Sequence, residues 1–409
     1  MIRKLRGAIR VARNAAHVIV QKRLHQPISM TLDRDDMDIA RYWLAHREAW
    51  DDITVVRTYE REFAKWNGSC FAFAFQAGRK ALSACIFALD LRPGDEVIVP
   101  AFTCVLVPNA FRFAKVTPIF CDIELDSYGP DVHSIERVIT PRTKAILVQH
   151  LFGLVCRDYE AILYLSKRAN LKIIEDAAQA TGASFYGQKI GTRGHVGFYS
   201  SEHSKIFNTV VGGVAVTNEK MIAARLQRCA EHWDLPSLPM IERQLLNVEL
   251  DYYRYHNRWS AAAHAMVKRR DADLYITNMS EEEIRGNLPR DYFTRMPSPI
   301  AALALNQLKK IDRYNSIRRS TAKRWDLWCR ENSYSPPLVV PGSEPVYLRY
   351  PVNVDPKMKT DISWASDTLN VELGVWFQAN IHPRLNLIGY PNAEFAVKHC
   401  VNFPTILYA

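Results

Sequence analysis

The stretch LKIIEDAAQATGASFYGQKIGTRGHVGFYSSEHSKIFNTVVGGVAVTN holds two groups able to do chemistry together. A β-type run ends in Glu175 and Asp176, and 29 residues after Asp176 comes Lys205, in a Ser-rich turn ahead of Gly212 and Gly213. A carboxylate at a strand end and a lysine on a neighbouring strand loop are what a pyridoxal phosphate site requires. The amine forms a Schiff base with the aldehyde, and the carboxylate keeps the pyridine nitrogen protonated so that the ring accepts electrons. Other chemistries find less support. The eight cysteines are scattered, with no CxxC pair and no Cys/His group at zinc spacing, so no metal is expected. The glycines at 187, 191, 194 and 197 do not follow the GxGxxG spacing of a dinucleotide fold.

Positioning those groups requires a sheet. From Cys70 to about Lys220, β-type runs alternate with helical stretches, and strands are predicted at 71–75, 96–100, 117–122, 144–149, 171–176, 195–200 and 213–218. The first five are separated by segments long enough for crossover helices. This implies an α/β fold with a mostly parallel, seven-stranded central sheet flanked by helices, its site at the carboxyl ends of the strands.

Around that sheet the chain divides into three parts. Residues 1–28 form a basic N-terminal arm, in which Ile2, Leu5, Ile9, Ala12, Ala16, Ile19 and Val20 fall on one stripe of an amphipathic helix. The helix reads either as an arm packed on its own protein or a dimer mate, or as an attachment to an anionic membrane surface. Residues 29–290 form the large domain, with an aromatic-rich helical insert at about 228–290, and 291–409 a smaller α+β C-terminal domain. The Pro-rich stretch 334–345 is the expected linker.

Composition narrows the function classes. With 409 residues, 48% hydrophobic and 23% charged, the chain is that of a globular protein, and no run approaches the length of a transmembrane helix. The net charge of +10 invites a nucleic-acid reading, but seven of those charges fall in the first 25 residues and leave the body nearly neutral. Scattered cysteines fit a reducing, cytoplasmic location, peripheral to the inner membrane surface if the arm binds lipid.

The sequence resembles the DegT/DnrJ/EryC1/StrS family of sugar aminotransferases, within fold-type I of pyridoxal phosphate enzymes. The resemblance rests on AGRKAL (77–82), RPGDEVIVPAFTC (92–104), IIEDAAQATGA (173–183), SSEHSK (200–205), VVGGVAVTN (210–218) and RMPSPIAALALNQL (295–308), in that order. It implies a transaminase moving an amino group, from glutamate, to a keto group of a nucleotide-linked sugar for surface polysaccharide synthesis, in a homodimer with shared sites. A cofactor-binding regulator or scaffold without turnover is the alternative. Lys205 matches the Schiff-base lysine and Asp176 the partner of the pyridine nitrogen. Ala178 matches the small residue under the ring, and Gln179 the one bonded to the phenolic oxygen. Gly78, Arg79 and Ser200 match the phosphate site.

Two departures stand out. Cys104 occupies the position of a stacking ring, a part that Phe102 is expected to take if any ring does. The asparagine that in the family reaches the phosphate of the neighbouring subunit's cofactor is not evident: Phe293 and Thr294 stand before Arg295, which either replaces it or makes a structural ion pair. His150 reads as a cofactor neighbour or a core histidine, and His203, with Glu202, as a substrate contact or part of a solvated turn. His382 resembles a segment near the sugar site.

Overall fold

The computed structural model describes residues 30–256, 276–277 and 279–407, so the N-terminal arm lies outside the described residues. Seven strands build the central sheet: β1 (Phe71–Phe75), β2 (Glu96–Pro100), β3 (Thr117–Cys121), β4 (Thr143–Gln149), β5 (Lys172–Asp176), β6 (Val196–Ser200) and β7 (Gly213–Thr217). Their order is β1-β7-β6-β5-β4-β2-β3. Only β7 runs against its neighbours, and β6, β5, β4, β2 and β3 pair in parallel.

Parallel pairing explains why these strands read as unbroken apolar runs. Each must be covered on both faces by the crossover helices that connect it. On one face Ile98, Ile146, Val148 and Ile173 pack with Tyr59 and Phe63 of α2 (Ile53–Asn67), which follows α1 (Arg34–Ala45). On the other, Val97, Val99, Leu147 and Ile174 pack with Leu82 and Ile86 of α3 (Gly78–Ala88). Residues adjacent in sequence enter different cores because strand side chains alternate.

A third core gathers Phe102, Trp325, Tyr350 and Phe403. It joins the antiparallel pair β8 (Tyr350–Asn353) and β9 (Cys400–Phe403) to the rest of the molecule. The stretch 334–345 is not a free tether. Leu338 N–H donates to Asp126 O at 3.2 Å, Tyr186 N–H to Gly342 O at 2.7 Å, and Ser343–Glu344 pairs with Ser184–Phe185. Its backbone polar groups are met by the large domain, which composition alone does not reveal.

Candidate active site

The end of β5 separates two adjacent acids. Glu175 turns into the core, where its carboxylate accepts from Tyr159 Oη at 2.6 Å, Gly191 N–H at 2.7 Å, Arg193 N–H at 2.8 Å and Gly194 N–H. Burial pushes this carboxyl up, but His150 together with those donors outweighs it and holds the group below its ordinary range. Glu175→Leu would leave the tyrosine hydroxyl and three amides without an acceptor. A loss of roughly 3–5 kcal/mol is expected, visible as a lower urea midpoint in the far-ultraviolet circular dichroism.

Asp176 points the other way, into a cavity of about 540 Å³. Its carboxylate accepts from Ala178 N–H at 3.0 Å. Burial raises the Asp176 carboxyl to about 6, against the opposing pull of the Ala178 amide, Lys205 and His150. Unlike Glu175, it lies where a ligand can supply the missing positive charge.

Strand ends supply the remaining walls, as the parallel topology requires. Lys205 follows β6, with its amine 3.9 Å from Glu202 Oε1. Arg318 braces this turn from behind by donating to Ile206 O at 2.7 Å. Val210, also in the wall, has the left-handed φ of 66°, unusual for a β-branched residue, and Asn208 Oδ1 holds its N–H at 2.7 Å.

Against the ends of β6 and β7 lies the start of α3. Its N-cap is Ala77, whose side chain cannot cap, so the first-turn amides open toward the cavity. Close approach here needs glycine: a Cβ on Gly78 would lie 2.7 Å from Ser200 Cβ.

Of the residues singled out in the sequence, Lys205, Asp176, Gly78, Arg79, Cys104, Ala178, Gln179, Ser200, Glu202, His150 and His382 line this cavity. The Arg79 guanidinium is paired with Glu283 of α9 (Glu281–Ile284), numbered after α4 (Leu106–Phe113), α5 (Val132–Val138), α6 (Tyr159–Arg168), α7 (Lys220–His232) and α8 (Leu238–His256). Gln179 Oε1 accepts from Phe152 N–H at 2.9 Å. His150 is fully buried, with Nδ1 accepting from Cys156 N–H at 3.2 Å and Nε2 3.6 Å from Glu175. Cys104 pairs in register with His382, whose imidazole is lowered to about 4 by burial and by Arg349, Lys205 and Lys359.

Two lie elsewhere. Arg295 donates to Asp51 at 2.6 Å and does not line this cavity. His203 is buried between Glu202 and Asp251, off the cavity wall. Phe102 does not stack there either. It packs edge-on against Phe377 at 5.0 Å in the third core, and Trp376 and Phe377 bring rings to the cavity instead.

Sequence reasoning missed Lys80, Gln244, Arg349 and Trp376, which also line it. The buried guanidinium of Arg349 lies over the Trp376 ring at 3.8 Å. Gln244 of α8 is fully buried with both carboxamide atoms lacking a hydrogen-bond partner. The AGRKAL block carried a signal for Lys80, a cation inside an otherwise small and apolar helix start.

Comparison with known proteins adds three findings. Residues 40–406 match the DegT/DnrJ/EryC1/StrS aminotransferase family. GDP-perosamine synthase of Caulobacter vibrioides is 38% identical over 169 residues, 41% of this chain and 45% of that protein. The enzyme of that name from Escherichia coli O157:H7 is 34% identical over 235 residues, 55% of this chain and 63% of that one. The matches thus span about half to two thirds of these relatives. Among solved structures, the aminotransferase from Psychrobacter cryohalolentis superposes with a TM-score of 0.71 at 24% identity, covering 92% of this chain and 93% of that one, which shows a shared fold.

Proposed function

The chain belongs to the DegT/DnrJ/EryC1/StrS aminotransferase family, and on that premise we propose that it is a pyridoxal phosphate-dependent transaminase acting on a keto group of a nucleotide-linked sugar. The observation that carries the reading is the shared cavity of Lys205 and Asp176, two groups of opposite sign on successive strand ends. The residues present fit the cofactor. Asp176 is a buried carboxyl in want of a cation, which a protonated pyridine nitrogen is. Gly78, the open amides of α3 and the Ser200 hydroxyl suit a phosphate.

When bound, the cofactor supplies a ring that takes up the electrons left as a proton departs from the donor's amine-bearing carbon. The chain does the rest. Asp176 holds the proton on the ring nitrogen, and Ala178 keeps one ring face clear. The Gln179 NH₂ group, its carbonyl already taken by Phe152, donates to the phenolic oxygen. Lys205 would anchor the cofactor through its amine and, with that amine free, would carry the proton between carbon atoms. Arg349 receives the carboxylate of an amino-acid donor such as glutamate, and Gln244 and the other insert residues in the wall face the sugar. His150 buttresses Asp176, since its N–H donates to Asp176 O at 3.1 Å.

The same reading includes a homodimer with shared sites and a cytoplasmic location. Among the described residues, no helix is long and apolar enough to cross a membrane. The membrane contact proposed for residues 2–24 is tested by flotation with anionic liposomes, full chain against a chain starting near Ser29.

Incubating the cofactor-loaded protein with glutamate is expected to convert the bound cofactor to its amine form and release 2-oxoglutarate. Adding GDP-, UDP- or dTDP-linked keto sugars is expected to restore the aldehyde form, with an amino sugar detected by mass. A protein that binds the cofactor but yields neither change would be the non-turnover alternative instead.

A further inference from the structure

We propose that Lys80 is an anion-binding residue of the cavity, placing a positive charge against a phosphate group carried into it. The inference deepens the reading above and rests on it for the identity of the phosphate.

Lys80 sits in the first turn of α3, and its side chain is buried in the cavity wall. The amine donates to Gln76 Oε1 and to Thr294 Oγ1 at 2.6 Å, and it lies 5.9 Å from the centre of the Tyr292 ring. Gln76 and Thr294 are neutral, are bonded to each other at 2.6 Å, and line the same cavity. Among the described residues, no carboxylate lies within ion-pairing distance of this amine. Two neutral acceptors leave one of its three N–H groups for a further partner.

The charged groups around it do not supply that partner. Arg79 on the same helix repels a proton on Lys80. Glu283 of α9 and Asp291 attract one, but Glu283 is already engaged by Arg79 and by Ser280. Burial dominates and brings the amine from 10.5 down to about 7. A lysine held dry without a counter-charge is unfavourable. A phosphate in the cavity removes that penalty and adds its attraction to the open amides of the same helix end.

Two phosphates can enter: that of the cofactor, and the diphosphate of a nucleotide-linked substrate. The test measures dissociation constants of pyridoxal phosphate, pyridoxal, GDP and UDP for the full-length apoprotein, its Lys80→Met variant and its Lys80→Arg variant. The expected result is a loss on the order of ten- to a hundredfold in Lys80→Met, the usual worth of a hydrogen bond to a charged group. Pyridoxal, which lacks the phosphate, binds both proteins alike, and Lys80→Arg keeps most of the affinity.

Which ligand suffers the loss tells the two sources apart. Wild-type affinity for the phosphate ligand falls more steeply than that of Lys80→Met as the pH rises above about 7, where binding must first return a proton to the amine. Calorimetry in two buffers of different ionisation enthalpy reads the same proton on the wild type alone, as uptake with pyridoxal phosphate beyond that with pyridoxal, or as uptake with GDP or UDP, so a variant that fails to fold does not remove the test. Unchanged affinity for all phosphate ligands, or no proton uptake at pH 8 beyond that seen with pyridoxal, overturns the proposal. Failure of the wild type to bind pyridoxal phosphate would instead refute the cofactor reading, and the nucleotide arm would then decide Lys80 by itself.

Discussion

Lys205→Ala is expected to end turnover, lowering the rate of the glutamate half-reaction by at least about 10⁴-fold, since in the proposed reaction one amine is both covalent anchor and proton carrier. The variant should nevertheless hold the cofactor without a bond, because Asp176, Gly78 and Ser200 stand on other elements and are untouched. Two measurements separate these effects. Equilibrium dialysis reports retained cofactor. Borohydride reduction followed by peptide mass mapping is expected to label the wild type at Lys205 and leave the variant unlabelled. Lys80 makes this a demanding test, since its amine is lowered to about 7 and lines the same cavity. A label on Lys80 in the wild-type protein would put the aldehyde on the wrong lysine and undo both assignments.

What the sequence disclosed follows from the architecture. The strands that pair in parallel were legible because such strands are apolar at successive positions, as in EVIVP and KAILVQ. Site residues carried on strand ends, such as Asp176 and Ser200, were legible with them. Groups delivered by distant segments were not. Arg349 reaches the cavity from the chain before β8, and Gln244 from α8, where no local pattern marks a side chain facing a ligand. Arg295 illustrates the converse. Its position near the site is fixed by an isolated bridge to Phe75, yet its charge goes to Asp51, a partner 244 residues away. Phe102 was misplaced because the alternation after β2 breaks at the short Thr103–Cys104 pairing with Ile381–His382, which turns Cys104 to the cavity and Phe102 to the core.

Glu175 and Asp176 show how far one residue of register decides chemistry. The first is saturated with donors and ionised for structural reasons, whereas the second is buried with few, and the fold alone favours its protonated form. This predicts an inverse relation between stability and activity for Asp176→Asn. In the wild-type apoprotein the carboxyl is raised from 3.8 to about 6. Below pH 4 both folded and unfolded chains carry the proton, and Asp176 does not weaken the fold. Between pH 4 and 6 the unfolded chain ionises first, so stability is lost as the pH rises, by about 3 kcal/mol in total at 1.36 kcal/mol per unit.

Asparagine, neutral throughout and nearly the same shape, avoids that loss. The Asp176→Asn apoprotein is therefore expected to match the wild type in urea denaturation near pH 4 and to exceed it by about 3 kcal/mol at pH 7. Cofactor should reverse the order, because only a carboxylate forms an ion pair with the protonated pyridine nitrogen, and wild-type stability then rises with ligand concentration more steeply than the variant's. Turnover in the variant should fall on the order of 10³-fold or more, as the ring loses the charge that makes it an electron acceptor. An Asp176→Asn protein that is no more stable when empty and still transaminates would show that this carboxyl neither suffers from burial nor acts on the ring.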